Sequence, residues 1–135
     1  MRRLFANDTI TLFNRIGDGV YQVTLLRGVN FSVSGGITGG DLLPIRSVTL
    51  YYFDAISHAS SADGTPCLYV PPEDWSSLTD KRGCYTFSTS GGDWLVPGDH
   101  TASVEPPYAS AFRITGVERF THGRKHLWHY RIKGV

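Results

Sequence analysis

Cysteine is nearly missing from this chain: Cys67 and Cys84 are the only two in 135 residues. Small disulfide-stapled domains are secreted and cysteine-rich, so that class is excluded. A secretory leader is not read either. MRRLFANDTITLF has two arginines, but Asn7, Asp8, Thr9 and Thr11 interrupt any apolar run behind them. Both thiols are therefore expected to be reduced and partly buried. No stretch approaches the ~20 apolar residues of a membrane-spanning helix. An excess of one charge is also lacking: 13 Lys and Arg stand against 12 Asp and Glu, a net charge of +1. A general polyanion binder would carry a strongly basic domain or face.

The motifs of common chemistries are missing as well. The glycine run Ser34–Asp41 has neither the lysine-serine or lysine-threonine pair of a P-loop nor a spaced G-x-G-x-x-G, and no long helix follows it. There is no G-x-S-x-G elbow to raise a serine nucleophile. Asp93 and Asp99 flank Trp94–Val96, where capping of turns suits them better than paired acid–base work. The reading is a non-enzyme without a cofactor.

What the chain does have is glycine and proline, 15 and 7 respectively, hence many turns and short elements. With 41% apolar and 19% charged residues it is globular, and its length suits one domain over 1–135. Thr9–Arg15, where Ile10 and Leu12 share a face, Val20–Leu26 and Val29–Val33, both dominated by β-branched and aromatic residues, and Phe112–Val117 read as strands. Leu127–Lys133 alternates with a period of two, the pattern of a half-buried strand. Val48–Phe53 is apolar at nearly every position and is expected to be buried on both faces. Cys67–Val70 reads as a further short strand, and Tyr85–Phe87 and Trp94–Val96 as a pair across Gly91-Gly92. Pro72, Glu73 and Asp74 begin one short helix that ends near Leu78. Ser34–Pro44 and Asp54–Pro66 read as loops. The fold class is all-β: a small antiparallel barrel or sandwich of about eight short strands, since closure removes exposed edges.

Two constellations stand out near the end. His122, His126 and His129 have the spacing of zinc ligands, but Gly123 and a strand start make their side chains diverge, so surface histidines are expected and no metal. Arg119, Arg124, Lys125, Arg131 and Lys133 oppose a lone Glu118 and alternate with Phe120, Trp128 and Tyr130. Alternation places Trp128, Tyr130 and Ile132 in the core, with His129, Arg131 and Lys133 in solvent. The same residues could instead contact phosphates and bases, as in a nucleic-acid-binding barrel of OB type.

The order of these pieces resembles the head–tail connector (head-completion, or stopper) proteins of long-tailed phages and related minor structural proteins of siphophages. The resemblance lies in TITLFNR, TLLRGVNFSV, SVTLYYF, the run from YVPPEDW to GDWLVPGD, and FRITGVERFTHGRKHLWHYRIKG. Phe53-Asp54 stands where that class usually has proline, Leu127 splits His126 from Trp128, and Pro97 replaces a common lysine. The resemblance implies a homo-oligomeric ring in the virion neck, assembled in the host cytoplasm without a membrane. Its partners would be the portal or adaptor ring and the tail terminator or tail tube, with non-specific contact to packaged DNA in the channel. It also implies a channel loop at Ser34, Gly35, Gly36, Ile37, Thr38, Gly39, Gly40 and Asp41, with Asp54–Pro66 as the second choice. A tail terminator or another minor tail protein is the neighbouring reading.

Overall fold

A computed structural model describes residues 7–37 and 44–135. Strand β1 (Asp8–Gly17) turns at Asp18-Gly19 into β2 (Val20–Ile37), with Gly19 at φ 67°. The β1–β2 ladder slips one position between Asp8↔Val29 and Thr9↔Arg27, so Gly28 is an extra residue in β2. It sits at φ 69°, and a Cβ there would lie 2.8 Å from the Ile56 carbonyl oxygen, so only glycine fits this bulge. The bulge re-aims the strand. Its first half pairs with β1, and Asn30–Ile37 pairs with β3 (Pro44–Phe53). The two strands expected on either side of Arg27-Gly28 are thus one bent strand.

Strand β4 (His58–Ser60) adds to β2 at Leu25–Arg27. Strands β5 (Leu68–Tyr69) and β6 (Cys84–Tyr85) form a short parallel pair around helix α1 (Pro72–Trp75). Strand β7 (Trp94–Pro97) lies between β1 and β8 (Phe112–Phe120), and β9 (His129–Gly134) lies between β8 and β3. The antiparallel order β1-β7-β8-β9-β3-β2 returns to β1, which closes a barrel. The all-β expectation holds.

The barrel is filled by Ile10, Leu12, Leu26, Val29, Leu50, Leu95, Phe112, Ile114 and Ile132, each at most 2% exposed. Each such side chain contributes roughly 1.5–3 kcal/mol through removal from water. At one side Tyr52, Tyr69, Tyr85, Phe87 and Tyr130 stack with ring centroids 5.1–6.2 Å apart. Tyr85 Oη donates to Tyr52 Oη at 3.2 Å, and burial pushes both phenol pKa values up, so each ring stays neutral.

Three expectations about the elements need correction. Val48–Phe53 is not buried on both faces: Val48, Leu50 and Tyr52 point inward, while Thr49, Tyr51 and Phe53 stay partly exposed. A barrel wall has one inner face, so an unbroken apolar run there leaves rings outside. Ser34–Ile37 is strand rather than loop, paired with Pro44–Ser47. Tyr85–Phe87 does not pair with Trp94–Val96, because β6 runs parallel to β5 and β7 is taken up by β1 and β8.

The Thr86–Asp93 connection is instead fixed by buried polar bonds. Asn14 Nδ2 donates to the Thr86 carbonyl and to Asp93 Oδ2, both at 2.8 Å, and Asn14 Oδ1 accepts from Thr86 N at 3.2 Å. Arg15 N donates to Asp93 Oδ1 at 2.9 Å. Burial pushes the Asp93 carboxyl up to about 6, against the pull of these N–H donors. Asp93 is therefore a staple under the loop. Asp99 does cap a turn, accepting from Thr101 N at 3.0 Å.

Candidate functional site

The hairpin of β2 and β3 outruns the barrel wall. The last β9 residue paired with β3 is Gly134, opposite Val48. Beyond it, Ser34↔Ser47, Gly35↔Arg46, Gly36↔Ile45 and Ile37↔Pro44 form, among the described residues, a ribbon of two strands. The side chain of Arg46 anchors its base, with the guanidinium 4.6 Å from the centre of the Phe112 ring. Of the expected channel loop, Ser34, Gly35, Gly36 and Ile37 lie in this ribbon, and Thr38, Gly39, Gly40 and Asp41 fall outside the described residues. The second choice, Asp54–Pro66, contains β4 and a tight turn at Asp63-Gly64, with Gly64 at φ 88°.

The five basic residues of the C-terminal segment do not form one patch. On β8, Arg119 faces Tyr130 of β9 and Glu118 faces Arg131, so the two arginines leave opposite sides of the wall. Arg119 donates from Nη1 and Nη2 to both Asp54 carboxylate oxygens, at 2.7 and 2.6 Å. Its guanidinium lies 4.2 Å from the Tyr130 ring centre and 5.7 Å from that of Trp128. Arg131 Nε donates to Glu118 Oε1 at 2.7 Å, and the guanidinium lies 5.1 Å from the Phe120 ring centre. Arg124 and Lys125 are exposed on the turn between β8 and β9, and Lys133 is exposed on β9.

Trp128 was expected in the core but is a half-buried cap. It precedes β9, its Nε1 donates to the Gly123 carbonyl at 3.3 Å, and Lys125 and Arg119 lie over its ring. Tyr130 packs against the core and Ile132 is fully buried, as the alternation requires. On the outer side His129 stacks on Phe120, with centroids 4.8 Å apart and planes 12° from parallel, next to Phe53 and Tyr51. His122 and His126 are exposed, and among the described residues no cluster of three metal-ligating side chains forms.

The model of a family of unknown function, DUF6751, matches residues 5–135. The chain belongs to that family. No curated protein and no solved structure matches it. The family match takes in every strand of the barrel and the ribbon, so the family's shared unit is the whole β structure and not one local motif. In this DUF6751 member both cysteines are free thiols, and burial pushes the Cys67 thiol up, away from the thiolate a nucleophile needs. Among the described residues no helix is long and apolar enough to cross a membrane.

Sequence reasoning missed three other cations. Arg15 on β1, Lys81 after α1 and Arg113 on β8 stand around the Ser88–Gly92 loop, lining two adjoining hollows of about 420 and 580 Å³. No spacing in the chain joins them. The only local sign was the Ser88-Thr89-Ser90-Gly91-Gly92 run, which is small, hydroxyl-rich and able to follow a tight path.

Proposed function

We propose that this chain is a non-enzymatic structural subunit of a phage head–tail connector, forming a homo-oligomeric ring between portal or adaptor and tail. In that place it helps retain packaged DNA and join the tail. The observation that carries the reading is the two-stranded ribbon Ser34–Ile37/Pro44–Ser47, which leaves a closed barrel past its last wall strand. A ring subunit needs a rigid wall to pack on its neighbours and an extension to reach the axis. The outward rings of Tyr51, Phe53 and Phe120, rimmed by the Arg131–Glu118 pair, suit the wall contact. The non-enzymatic part is supported by Asp93, whose oxygens are already engaged by buried N–H donors.

The test is to purify the chain alone and with particles, and to view both by electron microscopy. Rings in isolation, or a ring at the neck of particles, are the expected results. A chain that stays monomeric at high concentration and is missing from purified particles overturns the reading. Removal of residues 38–43 is expected to leave barrel stability intact while particles leak DNA or fail to join tails. A tail terminator or another minor tail protein would form a similar ring further down, and its position along the particle separates these.

A further inference from the structure

We infer that the hollow around the Ser88–Gly92 loop is a groove for a nucleic-acid phosphodiester backbone, held by Arg15, Lys81 and Arg113. This inference does not rest on the connector reading. The first part of the groove lies between the end of β1, helix α1 and the loop, and the second between the loop and β8; Arg15, Ser90 and Gly91 line both. Lys81 lines only the first and Arg113 only the second. The cations are therefore strung along a path and do not converge on one point. A site for a single phosphate would converge its donors. A row of them matches a polymer that repeats its charge.

The charges are also available. Among the described residues neither Lys81 nor Arg113 forms an ion pair with a carboxylate. Lys81 Nζ donates to the Leu78 carbonyl at 2.8 Å and lies 5.6 Å from the Trp75 ring centre, which holds its position without cancelling its charge. Arg113 is fixed through its backbone, which exchanges two bonds with Val135. Arg15 pairs with Asp18, whose side chain is fully exposed, so a phosphate can take its place at little cost. The Arg15 stem runs against Gly92, where an added Cβ would lie 3.2 Å from Arg15 Cδ, and this sets the guanidinium at the junction of the two hollows. Among the described residues the one carboxylate in the lining is Asp93, which is 2% exposed and turned toward Asn14 and the Arg15 amide. The loop offers hydroxyls and glycines, which do not distinguish base edges, so binding should be independent of sequence.

Fluorescence anisotropy with a fluorescein-labelled DNA duplex of mixed sequence tests this on the full chain. Three phosphate contacts give a log–log salt slope of about −2.7, so affinity should fall ~40-fold from about 50 to about 200 mM salt. R15Q/R113Q, which keeps long polar stems in place, should weaken binding at least ~10-fold and flatten the slope by about 2. R124Q/K125Q removes the same net charge from the exposed β8–β9 turn and should change affinity less than ~3-fold. Circular dichroism checks that both variants fold; if R15Q/R113Q does not, the single variants are measured, and each should flatten the slope by about 1. No binding by the wild type, or equal losses in the two double variants, overturns the groove. Inorganic phosphate at matched ionic strength should not displace the duplex. Displacement by it would make this a single-anion site and overturn the polymer reading.

Discussion

Arg119 and Arg131 on the C-terminal strands, and Arg15, Lys81 and Arg113 around the Ser88–Gly92 loop, are all cations at the barrel surface, but they are bound very differently. Arg119 makes a two-pronged bond to Asp54 with both side chains 32% exposed, and it lies on the Tyr130 ring. The Asp54 bond holds its pKa above the usual arginine value, so its charge is committed to the fold. Arg15 meets an aspartate that is fully exposed, and among the described residues Arg113 and Lys81 meet none. Exposed pairs are worth only ~0–1 kcal/mol, whereas a planar, partly desolvated pair with stacking is worth more. A count of basic residues therefore misjudges which region can act on a partner. Within the densest basic stretch, the two strand arginines, Arg119 and Arg131, are the neutralised ones.

The largest expected effect removes the ground both regions share. Phe87 packs 5.4 Å from the Tyr130 ring under Arg119, and its backbone leads into the groove loop. Phe87→Ala should cost ~3–5 kcal/mol in urea denaturation. A cost below ~1.5 kcal/mol would mean that the two regions do not rest on one core.

The next effect is specific to the groove floor. Asp93 is pushed up by burial to about 6 from 3.8. A raised carboxyl favours the folded state most below its unfolded pKa, and this contribution is lost as pH rises toward the folded value. Wild-type stability relative to Asp93→Asn should thus fall by about 2 kcal/mol between about pH 4 and pH 6. Urea midpoints of both proteins across that range measure it. A flat difference would show that Asp93 is not a strained, buried acid.

Smaller effects separate the committed from the available arginines. Arg119→Gln should cost ~1–2 kcal/mol, as it leaves Asp54 without its partner and Tyr130 uncovered. Trp128→Ala should cost about the same or less, ~1–2 kcal/mol, because this ring is half exposed and not a core anchor. Arg15→Gln should change stability by less than ~0.5 kcal/mol. Thermal or urea melts that rank Arg15 above Arg119 would invert the comparison.

Much of the local structure was legible because strand and turn signals are short-range. Alternation put Ile10 and Leu12 on one face and Ile132 inside, and each is at most 1% exposed. Pro72 followed by Glu73 and Asp74 marked the α-helical turn Pro72–Trp75. The same logic failed at Trp128, since alternation was carried one residue past the start of β9 at His129. It failed again at Ser34–Ile37, where glycine read as loop, although cross-strand pairing to β3 holds Gly35 and Gly36 in a ladder.

By itself, then, the amino-acid order determined an all-β chain, the shared face of Ile10 and Leu12 and the inward side of Tyr130 and Ile132, the short helix, and free thiols in place of a disulfide framework. Those properties depend on neighbours within a few residues, and the chain states them directly. Only the tertiary structure decided that β2 bends at Gly28 to serve two partners, and that β7 slots between β1 and β8 to close the barrel. It alone joined Arg119 to Asp54, 65 residues away, and gathered Arg15, Lys81 and Arg113 around one loop. Strand closure and charge pairing are long-range events. A charge becomes neutral or available only when the fold brings a carboxylate to it or leaves it without one.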